Sequence, residues 1–152
     1  VAAGSITPAG AVYVEAPFAT APLPVSRDEL RRHYAHQKAS RTEAWYRQHR
    51  PSMLAGDIEV ETAASRHWDI DTAVSLSLHA AGRSTDLSQD IPSLIIRADP
   101  SDAITEATAR QLTRRGFTVR SMRGAGHTVW HGRVPEFLSL ITEWLADQGH
   151  TR

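Results

Sequence analysis

IPSLIIRADPSDAITEATARQLTRRGFTVRSMRGAGHTVWHGRVPEFLSLITEWL, running from Ile91 to Leu145, decides how this chain folds. Its first seven residues, Ile91-Pro92-Ser93-Leu94-Ile95-Ile96-Arg97, form a dense apolar run bounded by loop signals. That is the pattern of a strand buried on both faces. The acidic loop Asp99-Pro100-Ser101-Asp102 follows. Thr105 and Glu106 then open a helix, with Ala109 and Leu112 facing inward and Gly116 just past its end. Phe117 to Met122 alternates apolar and polar residues over one strand length. In Gly124-Ala125-Gly126-His127 the chain turns, because glycine takes positive φ at little steric cost. Pro135 suits the first turn of a helix. Phe137, Leu138, Ile141, Trp144 and Leu145 give that helix the stripe of a well-buried element, and Gly149 ends it. A strand–helix–strand unit of this kind implies parallel strands joined by a right-handed crossover. The expected fold class is α/β.

Upstream of that stretch the pattern changes. Arg83–Asp90 is a polar loop. Asp71 reads as the cap of a helix over Thr72–Ala81, stopped by Gly82. A shorter helix falls around Ile58–Arg66. Ser26-Arg27-Asp28-Glu29 is an S-x-x-E capping box. It heads what reads as one helix from Arg27 to about His49, with Pro51 beyond its end. The apolar members of that helix, Leu30, Tyr34, Ala35, Trp45 and Tyr46, are sparse and ringed by arginines, so it suits a covering role better than a core one. Ala11-Val12-Tyr13-Val14-Glu15 reads as a short buried strand, closed by Ala16-Pro17. Residues Val1–Pro8 are small and polar. Together these readings give a strand and loop over residues 1–24, a helical insertion over 25–90 and a core over 91–152. There is no repeat and no low-complexity tract.

Composition narrows the function classes. At 152 residues the chain is long enough to bury a sizeable core. Lys+Arg and Asp+Glu both number 17, so the formal net charge is zero. That argues against a nucleic-acid or anionic-membrane partner. No cysteine is present. Thiolate catalysis, disulfides and Cys-based zinc sites are therefore excluded, and a reducing, cytoplasmic setting fits. No stretch approaches the roughly 20 apolar residues of a membrane span, and no signal-peptide pattern is seen. Among the eight histidines, His127/His131 and His33/His36 have close spacings. Neither pair has a third ligand in view, and His33 and His36 sit among arginines that repel a cation. No metal and no cofactor is expected. The basic helix Arg27–Arg50 also carries Asp28, Glu29 and Glu43, which fits a solvated surface.

The chemistry centres on His127. Imidazole has the side-chain pKa closest to neutrality, which suits general acid–base work. An acid after one strand and a histidine after the next are two members of a nucleophile–histidine–acid triad. The plainer reading of His127 is a loop histidine bonded to backbone. The plainer reading of Asp102 is a solvated carboxylate near the Thr105 helix start. The strand before His127 and the helix after it favour the catalytic reading.

These residues carry a family resemblance. Ile91 to Leu145 resembles the C-terminal part of the α/β-hydrolase fold. There a Pro-led apolar strand ends in the loop with the catalytic acid, and a further helix and strand lead to a GxGH loop with the catalytic histidine. Val134-Pro135-Glu136-Phe137-Leu138 is similar to the start of that family's last helix. AVYVEAPF, Ala11 to Phe18, looks like its strand before the cap, and Arg27–Ala81 sits where members insert a helical cap or lid. The resemblance implies a partial hydrolase sheet of about three parallel strands with flanking helices. It implies His127 as general base and Asp102 as acid. The family's strict acid position falls on Ser101, and Asp102 is the nearest carboxylate; Asp99 and Glu15 are the alternatives. It implies hydrolysis of an ester, amide, lactone or activated C–C bond in a small-molecule substrate. Trp45, Tyr46, Trp68 and Leu76 would form an apolar ceiling over that substrate.

One part of the family pattern is missing. No G-x-S-x-G nucleophile elbow occurs, and Ala3-Gly4-Ser5-Ile6-Thr7 lacks its spacing. The sequence therefore reads as a C-terminal fragment, inactive alone, whose partner is the missing N-terminal half. The competing reading is a degenerate, non-catalytic remnant with an interaction or structural role.

Overall fold

The computed structural model describes residues 8–51, 53–87 and 89–149. Two compact units are present: residues up to Phe18 with those from Asp86 on, and Ala19–Thr85.

The first unit is an α/β sandwich built around one strand. β1 (Ala11–Val14), β2 (Ser93–Asp99) and β3 (Thr118–Arg123) form a parallel sheet in the order β1-β2-β3. Ala11 pairs with Ser93, and Leu94 with Thr118. β2 is central, and Leu94, Ile95 and Ile96 are fully buried. Successive side chains of a strand point to opposite faces, and each face of β2 has its own core. Ile95 packs with Leu87, Ile104, Ala109, Leu112 and Phe117, residues that bring in helix α5 (Glu106–Arg114). Leu94, Ile96 and Ala98 pack with Met122, Val129 and Trp144, the last from helix α6 (Val134–Asp147). This is the doubly covered parallel strand that the apolar run at Ile91–Arg97 predicts. Thr105 caps α5 by accepting the Thr108 N–H at 3.2 Å, and Gly116 follows with φ +93°.

α6 is less buried than its stripe suggests. Trp144 is buried, whereas Val134, Leu138 and Leu145 are exposed. Periodicity identifies an apolar face, and only the half of it around Phe137, Leu140, Ile141 and Trp144 meets the sheet. Trp144 also sets a steric limit on the entry to β1. A Cβ at Gly10 would lie 2.8 Å from Trp144 Cη2 and 3.4 Å from the Pro92 carbonyl oxygen. Gly10→Ala is expected to destabilise the first unit by about 1–3 kcal/mol through overpacking. A lowered denaturant midpoint at constant slope checks this; an unchanged midpoint would show that the indole swings aside freely.

The second unit is helical: α1 (Arg27–Ser40), α2 (Glu43–His49), α3 (Ala55–His67) and α4 (Ile70–Ala80). The capping box at Ser26 is formed as read. The Glu29 backbone N–H donates to Ser26 Oγ at 3.2 Å and the Ser26 N–H to Glu29 Oε2 at 2.8 Å. Hydrogen bonding from Ser26 holds the Glu29 carboxyl below its ordinary range. The single helix expected from Arg27 to about His49 is broken at Arg41–Thr42. The Thr42 hydroxyl accepts the Trp45 N–H at 3.2 Å and starts a new helix, the competition with the helix ladder that short polar side chains offer. The helix at 70–80 is capped by Asp69, not Asp71; Asp69 accepts the Thr72 N–H at 2.7 Å. Hydrogen bonding from Thr72 lowers the Asp69 carboxyl, while Asp71 pairs with Arg31. Leu30, Tyr46, Ile58 and Val74 are the buried apolar residues among those described in this unit, and Thr62 is buried with them. Its two chain ends are stitched together. Ala19 and Ser84 form an antiparallel bridge, and the Thr20 N–H donates to the Arg83 carbonyl at 2.9 Å. No helix among the described residues is long and apolar enough to cross a membrane.

Candidate active site

Parallel strands deliver their carboxyl ends to one edge of a sheet, and in open α/β sheets ligands bind outside that edge. Three segments of the first unit emerge there. Glu15 follows β1, Pro100 to Asp102 follow Asp99 at the end of β2, and Gly124 to His127 follow β3.

The structure brings His127 together with Glu15. Nδ1 of His127 lies 3.4 Å from Glu15 Oε2. The two residues are 112 positions apart and differ sharply in burial: the Glu15 side chain is 3% exposed and that of His127 is 74% exposed. Glu15 adopts φ +47°, the only non-glycine positive φ among the described residues. This left-handed turn directly after β1 is uncommon for a residue with a Cβ and is held by its surroundings. The Glu15 N–H donates to the Ile96 carbonyl at 2.9 Å. Its carboxylate takes the Ala98 N–H on Oε1 at 2.6 Å and the Ser101 hydroxyl on Oε2 at 3.1 Å. A buried carboxylate needs such donors, and here the neighbouring strand's end supplies both.

The histidine loop is fixed at its entry and behind its exit. Gly124, at φ +74°, donates its N–H to the Asp99 carbonyl at 2.7 Å. Arg133 Nη1 donates to the Arg123 carbonyl at 2.6 Å, while its other nitrogens grip Glu136 at the start of α6. Nε2 of His127 has no partner among the described residues.

No hydrogen bond or ion pair among the described residues joins Asp102 to His127. Asp102 is exposed, and its carboxylate has no hydrogen bond or ion pair among the described residues. Asp99 accepts from Arg97 Nη2 at 3.1 Å. Arg97 is itself the buried strut of this loop, 2% exposed. Its Nε donates to Ser121 Oγ and its Nη1 to the Ile104 carbonyl, each at 2.9 Å, and Nη2 meets Glu106 at 3.0 Å. Ser5 lies outside the described residues. Trp45, Tyr46 and Trp68 are engaged within the helical unit: Trp45 stacks on His49, Tyr46 is buried, and Trp68 packs edge-on against Tyr34. Leu76 is 64% exposed. No group of three or more potential metal ligands comes together among the described residues.

Ser101 stands at the position where the α/β-hydrolase resemblance puts the acid. The hydroxyl there now reaches the carboxylate that stands after β1 instead.

No protein-family profile matches the chain, and no curated protein sequence matches it. Among solved structures it is similar to the N-formylmaleamic acid deformylase of Pseudomonas putida S16, with a TM-score of 0.60 and 15% identity. That match covers 86% of this chain and 55% of the deformylase. NosK of Streptomyces actuosus is similar at a TM-score of 0.49 and 22% identity, covering 93% of this chain and 59% of NosK. The chain thus spans a little over half the length of each. The first likeness, joined to the sheet order and the covered central strand, shows an α/β fold shared with the deformylase.

Proposed function

We propose that the chain carries the histidine and acid of an α/β-hydrolase whose nucleophile is a serine supplied by polypeptide beyond these 152 residues. The observation that carries this reading is the pairing of a buried Glu15 carboxylate with the solvent-facing His127 ring at the carboxyl edge of a parallel sheet. Glu15, rather than Asp102, takes the role of the acid. For the 3.4 Å contact to be a hydrogen bond to a carboxylate, Nδ1 must carry the proton. Nε2 is then the basic nitrogen. It removes the proton from the serine hydroxyl as that oxygen attacks a carbonyl carbon, and returns it to the leaving group. Water then discharges the acyl-enzyme. The substrate is a small molecule with an ester, amide, lactone or activated C–C bond.

Ser101 does not fit the nucleophile role. Its proton is committed to Glu15, and its oxygen accepts the Ala103 and Ile104 N–H groups at 3.1 and 2.8 Å. The match to the deformylase supports the α/β fold on which this reading rests. The test is labelling of the full-length product by a serine-directed fluorophosphonate. Labelling at one serine, abolished in His127→Ala, is the expected result. No labelling of the folded protein, or labelling unchanged in His127→Ala, would favour the non-catalytic remnant.

A further inference from the structure

We infer that Ser101 is a positioning residue for the Glu15–His127 pair; this rests on the catalytic reading above and assigns the residue that holds the acid in place. A serine hydroxyl has one proton and two acceptor positions. At Ser101 the acceptor side is filled by two converging backbone donors, Ala103 N–H and Ile104 N–H. Those donors belong to the turn that Arg97 fastens through the Ile104 carbonyl, so the hydroxyl cannot rotate without stranding them. Its proton is left to point at Glu15 Oε2, 3.1 Å away. The same oxygen lies against His127 Nδ1. With Oε1 held by the Ala98 N–H, the carboxylate is fixed at both oxygens and presents Oε2 to the imidazole. An ordinary loop serine would leave its hydroxyl free to turn toward solvent. This one can donate to a single acceptor, and that acceptor is the acid.

Two readouts test this in the full-length protein: the neutral tautomer of His127, by nitrogen-15 NMR, and the rate of fluorophosphonate labelling. Wild type is expected to hold the Nδ1–H tautomer. Ser101→Ala is expected to mix the tautomers and slow labelling about 10-fold, the loss of one charge-assisted hydrogen bond. Ser101→Cys fills similar space with a much weaker donor and should move both readouts the same way; it serves if the alanine variant does not fold. Ser101→Thr keeps the hydroxyl and should restore the wild-type tautomer. A merely structural serine would change stability without changing the tautomer. A folded Ala or Cys variant with wild-type tautomer and rate would overturn the proposal for Ser101 alone, provided Glu15→Gln still shifts the tautomer. A wild-type His127 in the Nε2–H tautomer, untouched by Glu15→Gln, would overturn the acid assignment itself.

Discussion

Glu15→Gln is expected to slow fluorophosphonate labelling of the full-length protein by on the order of 10⁴-fold with little change in fold, the scale on which an amide in place of a triad acid acts. The size follows from which end of the amide can go where. Oε1 receives the Ala98 backbone N–H at 2.6 Å, so the glutamine carbonyl must take that place. Its NH2 group then falls at the Oε2 position, beside His127 Nδ1 and the Ser101 hydroxyl. An NH2 group donates and cannot accept from Nδ1–H. The imidazole is driven to the other tautomer, its proton on Nε2, where it cannot act as a base toward serine. The side chain is nearly the same size, so packing around this buried position is retained. Asp102→Asn, at an exposed carboxylate, should leave the labelling rate within about 2-fold, as expected for a surface change away from any such network. The reverse pattern would return the acid to the loop after β2.

Arg97→Met should lower the stability of the sheet unit by about 3 kcal/mol, seen as a reduced urea midpoint with an unchanged slope. The methionine keeps most of the buried stem and loses the guanidinium. Without it the Ile104 carbonyl and Ser121 hydroxyl lose their donors, and Asp99 and Glu106 lose their shared cation. An unsatisfied buried acceptor costs far more than an exposed one. Arg110→Met is the contrast: its pair with Glu106 joins two side chains that are each more than half exposed, and its removal should cost less than about 1 kcal/mol. Equal effects would mean that the burial of Arg97 does not matter. The loop that Arg97 braces also carries Ser101, so this variant should slow labelling as well.

The central strand was legible because two covered faces leave a continuous apolar run, and Leu94, Ile95 and Ile96 are that run. The histidine loop was legible because glycines mark a backbone turn wherever it occurs. The carboxylate beside His127 was harder. Glu15 looks in the sequence like the polar end of a short strand. Its role depends on Ala98, Ser101 and His127, which register alone brings to it across 112 residues at the furthest. The acidic loop at Asp99–Asp102 offered nearer carboxylates, yet one binds Arg97 and the other faces solvent. The break at Thr42 rests on a single hydroxyl that accepts the Trp45 N–H, a local signal set between helix-forming residues on both sides. The exposed half of α6 had no local signal, because a stripe reports that a face is apolar and not how much of it is covered.

The bridge between Ala19 and Ser84 bears on the order in which the chain assembles. β1 and β2 pair residues roughly eighty positions apart, Ala11 with Ser93, and closing so long a loop is entropically costly before any contact rewards it. The four helices between them are joined by pairs of shorter span, such as Tyr34 with Ser77 and Lys38 with Trp68, and can form early. Once they have, their stitched ends leave a closing loop of only about twenty residues and lower the closure cost by about 1 kcal/mol. The insertion that looks like an interruption of the sheet would then serve as a shortcut to it, letting a non-local strand pair form with the kinetics of a local one.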